Sequence, residues 1–113
     1  MTTGEGPAAG EDGPGGDDLR ARWRDLVGRR LPEVARERAW PVVFDHCFAR
    51  ILLDNAMDAP WRTVIAPPAW RNTPLPDLER AVALGEAALA GEADMHALND
   101  RSLALRGKSR RGR

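Results

Sequence analysis

Cys47, His46 and His96 are the side chains with which this chain could attempt nucleophilic chemistry. A thiol becomes a useful nucleophile when a base stands within hydrogen-bond reach of it. His46 cannot serve, because neighbouring residues on a helix project about 100° apart. A Cys47–His96 dyad would require the last segment of the chain to lie against the central one with that face. The other reading of Cys47 is a small core residue, since free cysteine is among the most buried residue types. Ser102 and Ser109 lie in no nucleophile elbow, and Hydrolase chemistry has little to stand on.

Recognition has more material. On a helix, His46, Arg50 and Asp54 climb one face at intervals of four, where histidine and arginine beside a carboxylate could take an anionic ligand or a partner's acid. The alternative is an intrahelical ladder in which Asp54 simply pairs with Arg50. Tryptophan precedes arginine at Trp23-Arg24, Trp61-Arg62 and Trp70-Arg71, and aromatic–arginine pairs can hold a base or a partner's surface. Tryptophan in a domain with two phenylalanines and no tyrosine also serves as a core anchor; any that stays exposed marks a contact. The candidate contact residues are therefore His46, Arg50, Asp54, Trp61, Trp70 and Arg71.

No cofactor or metal is implied. The chain contains no Walker phosphate loop, dinucleotide fingerprint, His-Glu-x-x-His or Cys-x-x-Cys. Its single cysteine excludes an internal disulfide and argues against structural zinc. Gly13-Pro14-Gly15-Gly16 is glycine-rich, but the surrounding carboxylates would repel a phosphate.

The elements that must position these residues read as four helical segments. The first is capped by Asp18 and runs through Arg20, Trp23, Leu26 and Val27; Leu31, Val34 and Ala35 continue it beyond Gly28 and Pro32, as one kinked helix or two short ones. The second spans Pro41 to about Met57, with Phe44, Cys47, Phe48, Ile51 and Leu52 on one face. Val42 and Val43 are poor helix formers, so a start near Asp45, with Val42 to Phe44 extended, is the alternative. Between Asp58 and Asn72, Pro60, Pro67 and Pro68 and the lack of periodicity predict a long irregular loop, pinned by Trp61, Val64, Ile65 and Trp70. Thr73 caps the third segment, whose Leu75, Leu78, Val82, Gly85 and Leu89 form a stripe in which glycine permits close helix approach. Gly91 ends it, and Met95, Leu98, Ser102 and Leu105 repeat the spacing until Gly107.

Composition sets the limits. A length of 113 residues holds one domain, placed at residues 19–106. Residues 1–18, acidic and glycine-rich, and residues 107–113, basic, are expected to be disordered, so the net charge of zero conceals an acidic head and a basic tail. The body between them is close to neutral, which argues against a nucleic-acid binder working by bulk charge, although the tail could touch nucleic acid. No apolar run approaches the roughly 18 residues needed to span a bilayer, and the N-terminus has no secretory signal pattern; a cytoplasmic protein is expected. A body this small buries on the order of 60% of its unfolded surface, which leaves room for self-association or a protein partner.

The segment Phe44-Asp45-His46-Cys47-Phe48-Ala49-Arg50-Ile51 resembles the core of an uncharacterised family of small bacterial and fungal proteins, some labelled GNAT-type N-acetyltransferases. The likeness extends from Leu31-Pro32 through Trp40-Pro41 to Pro68-Ala69-Trp70-Arg71 and Arg101-Ser102-Leu103, with Trp70 where tyrosine is expected. The label implies an acetyl-CoA-dependent transferase. A GNAT enzyme holds the cofactor's pyrophosphate on an Arg/Gln-x-x-Gly-x-Gly/Ala turn between a strand and a helix. This chain has no glutamine, no glycine with arginine three positions before it and no strand pattern. The expectation is thus an all-α bundle of about four helices with a long loop between the second and third, acting as a binding or adaptor module. A transferase using Cys47, His46 or His96 is the competing class.

Overall fold

Pro32 shapes the first layer of the structure. It has no N–H to donate to the carbonyl of Gly28, and its ring crowds that oxygen. In the computed structural model, which describes residues 13–107, the turn just before it widens into a π-helical turn, Leu26–Arg30. That turn joins α1 (Gly13–Asp25) to the short α2 (Leu31–Ala35) in one continuous helical path. Leu19, Trp23, Leu26, Val27, Leu31 and Ala35 are buried along its inner face. On the outer side Arg29 reaches both ways, donating to Asp25 (2.7 and 2.9 Å) and to Glu33 (3.4 Å). The Arg29 hydrogen bond holds the Asp25 carboxyl below its usual range.

The expected start at Leu19 with Asp18 as cap is corrected: the described residues are already helical from Gly13, the first of them, and Asp18 lies inside the helix. The rest of the acidic head, residues 1–12, and the basic tail from residue 108 lie outside the described residues.

α3 (Asp45–Met57) is the central helix, and its start at Pro41 is likewise corrected. Phe44 is extended (φ −102°, ψ 150°), which leaves the β-branched Val42 and Val43 outside the helix. Phe48, Ile51, Leu52 and Leu53 are fully buried. Phe44 does not join them, being 59% exposed, and Cys47 is half-buried. Trp40 takes the place expected of Phe44, meeting Phe48 edge-on at 5.8 Å. Asp58, at φ 58°, closes the helix.

The stretch after Asp58 is more ordered than an irregular loop. Trp61–Thr63 forms a 3₁₀ turn and Ala69–Asn72 a single helical turn, α4. Thr73 is buried and donates from Oγ1 to the Ala69 carbonyl (2.6 Å), so it closes α4 instead of capping the next helix. α5 (Leu75–Leu89) follows Pro74 and buries Leu78, Ala81, Val82, Gly85 and Ala88. A Cβ on Gly85 would come within 2.6 Å of Leu26 Cδ2 and 3.0 Å of Leu52 Cδ1, so the expected close approach is real: the π turn and α3 both press on this point. Gly91 turns the chain at φ 81°. α6 (Met95–Leu105) starts at Asp94, whose carboxylate accepts from the His96 backbone N–H (2.9 Å). Arg38 clamps the end of α2 to the last carbonyls of α5, Ala88 (3.2 Å) and Leu89 (2.9 Å).

The described residues therefore form an all-α fold with four helices longer than two turns, α1, α3, α5 and α6, and no strand. α3 sits at the centre with α5 and α6 packed along it; the Trp61 turn also packs on α3, and α4 packs on α1. No helix among them is long and apolar enough to cross a membrane.

Candidate functional site

A carboxylate with no access to water needs all its lone pairs occupied, and Asp54 meets that condition. Its exposure is 0%. Oδ1 accepts from the Trp61 backbone N–H (2.9 Å) and Arg106 Nη2 (3.0 Å), and Oδ2 accepts from Ser102 Oγ (2.7 Å) and Arg106 Nε (2.6 Å). Asp54 thus ties together α3, the Trp61 turn and the end of α6. Those bonds hold Arg106 above its usual pKa.

The expected Asp54–Arg50 ladder is corrected by this arrangement. α6 packs across α3 and supplies closer partners than the helix's own next turn. Arg50 instead donates to two neutral acceptors on α6, Ser102 Oγ (2.8 Å) and Asn99 Oδ1 (2.9 Å). Burial holds its pKa below the ordinary value. Asp54 is therefore a structural hub and not a contact residue. Asn99, Ser102 and Arg106 were missed as site residues, although a signal was present: at steps of three and four these polar positions share one helical face, a second polar stripe beside the His46-Arg50-Asp54 one.

Trp61 divides two concavities. On one side lies a groove of about 330 Å³ whose walls include Trp23, Val27, Ala49, Trp61, Ala69 and Trp70, with Arg24, Asp45 and His46 also lining it. Trp70 is 37% exposed, with the Arg24 guanidinium 4.5 Å and that of Arg71 5.6 Å from its ring centroid. Its carbonyl accepts from Arg20 (2.9 Å). On the other side is a cleft of about 410 Å³ lined by His46, Ala49, Arg50, Trp61, Arg62 and Arg106. Arg62 lies over the Trp61 ring at 5.2 Å. Of the three Trp-Arg neighbours, two stack as pairs; Trp23 is a buried anchor, and its neighbour Arg24 stacks on Trp70.

No family model, curated protein or solved structure matches this chain. The reading of the site rests on geometry.

Of the predicted contact residues, His46, Trp61 and Trp70 meet at the groove, Arg71 flanks Trp70, and Arg50 joins His46 and Trp61 in the cleft. The His46 ring is exposed and stacked on Phe44, its Nδ1 3.6 Å from Asp45 Oδ1. His96 is engaged elsewhere: the Ala39 carbonyl accepts from its Nε2 at 3.0 Å, and no hydrogen bond joins it to Cys47 among the described residues. Ser102 is buried, with its hydroxyl between Arg50 and Asp54 and no imidazole on it. No group of three or more His, Cys, Asp or Glu side chains that could hold a metal ion occurs among the described residues.

Proposed function

We propose that the protein is a binding module whose groove receives a segment of a protein partner, with an apolar side chain between Trp61 and Trp70 and a carboxylate beside it. The observation behind this reading is Trp70. A large ring in a domain with few aromatics is kept at the surface by two flanking arginines and forms the wall of an apolar groove instead of completing the core. Rigid aromatic walls beside arginine are the composition of binding hot spots. Arg24 and Arg71 favour an acidic flank on the incoming segment. A transferase would need an architecture other than the GNAT sheet, because the described residues form no strand.

The test is selection of binding peptides from a displayed random library on the full chain. The expected outcome is enrichment of an aromatic or aliphatic anchor next to Asp or Glu, with affinity reduced at least tenfold by Trp70→Ala and melting temperature little changed. Peptides indifferent to Trp70→Ala, or acetyl transfer from acetyl-CoA that is lost in Cys47→Ala, would overturn the reading.

A further inference from the structure

The cleft on the far side of Trp61 has a charge of its own. Arg50, Arg62 and Arg106 reach it from three elements, α3, the Trp61 turn and the end of α6, and no carboxylate among the described residues lines it. Asp54, the carboxylate bound to Arg106, is buried and already spends its oxygens on Arg106, Ser102 and Trp61. Among the described residues of the cleft and the carboxylate bound to it, three guanidiniums therefore stand against Asp54 alone, an excess of two positive charges.

Two of the three are also fixed in place. Arg50 is anchored by neutral acceptors, so its charge is oriented without being cancelled. Arg106 is held by two of its nitrogens on Asp54, leaving Nη1 outside that pairing. Arg62 is exposed and rests on Trp61, able to swing onto an incoming group. Two guanidiniums fixed before binding and one mobile at the rim lower the ordering cost of capturing an anion. A carboxylate needs one arginine fork; an excess of two charges converging from three directions suits a tetrahedral dianion.

We infer that the cleft formed by Arg50, Arg62, Arg106 and Trp61 binds a phosphate group, either as inorganic phosphate or as a small monoester whose organic part lies against Trp61. This site shares His46, Ala49 and Trp61 with the peptide groove but not Trp70, Arg24 or the three cleft arginines, so the two readings can fail separately.

The experiment is calorimetric titration of the full chain with inorganic phosphate, phenyl phosphate and acetate at constant ionic strength. Saturable one-to-one binding of a phosphate is expected, with acetate at least tenfold weaker. Arg62→Glu, an exposed change that leaves the Asp54 network intact, is expected to weaken phosphate binding at least tenfold. Arg50→Lys keeps the charge but loses the paired bonds to Ser102 and Asn99 that orient it, and is expected to weaken it about fivefold. Phenyl phosphate binding tighter than inorganic phosphate assigns the site to a monoester, and equal affinities assign it to the free ion. Absence of saturable heat with both phosphates, acetate binding as well as phosphate, or an affinity unmoved by Arg62→Glu overturns the inference. Trp70→Ala, which disables the peptide groove, is expected to leave phosphate affinity within twofold.

Discussion

Asp54 shows how one residue can hold a site together without touching a ligand. Removing one partner of a buried ion pair costs about 3–5 kcal/mol, because the remaining charge is left uncompensated. Here the cation, Arg106, keeps some solvent access, with its side chain 25% exposed, which places Asp54→Asn near the lower end of that range. Urea denaturation is expected to show a loss of about 3 kcal/mol. Adding Arg106→Met is expected to recover part of it, because the double variant no longer carries an unpaired guanidinium. A loss below about 1 kcal/mol would mean that water reaches the carboxylate.

At the scale of elements, two glycines give opposite expectations. Gly28 is exposed in the π turn, and a Cβ there meets nothing within 4 Å, so Gly28→Ala is expected to stabilise by up to about 0.5–1 kcal/mol through reduced chain entropy. Gly85→Ala gains the same propensity but drives a methyl into Leu26 and Leu52, both fully buried. Overpacking of about 1–3 kcal/mol outweighs the gain, and the melting temperature should fall.

The same elements show which signals survive in sequence. Three- and four-residue spacing located the apolar faces of the long helices, Gly91 marked the turn between α5 and α6, and Gly85 in a buried stripe announced close approach. Helix starts were missed at Asp18, which lies inside α1, and at Asp45 and Leu75, where β-branching and proline compete with capping chemistry. Half of the site was legible: Trp61, Trp70 and His46 could be chosen from type alone. The long-range partners of Arg50 and Asp54 could not, because α6 and its C-terminal end supply them from 48 to 52 residues away and only packing decides which polar stripes meet.

For the whole molecule, charge is balanced in sum and uneven in place. The acidic head, the basic tail and the arginine-lined cleft coexist in a chain of zero net charge. A nucleic-acid reading would assign anion affinity to the tail, with steep salt dependence. Truncation after Gly107 separates the two, since the cleft is complete by Arg106. Phosphate affinity of the truncated chain, measured by the same calorimetry, is expected to stay within twofold of the full chain, and a larger loss would transfer the site to the tail.

The Asp54–Arg106 pair also bears on how the chain is made. Asp54 emerges from the ribosome well ahead of its cation, 52 residues downstream. Until that residue is added and clears the exit tunnel, closing α3 into the bundle would trap a lone negative charge in oil-like surroundings. Maturation is thereby set to occur in one late step, and nascent chains stalled before α6 should remain open to chaperones and proteases.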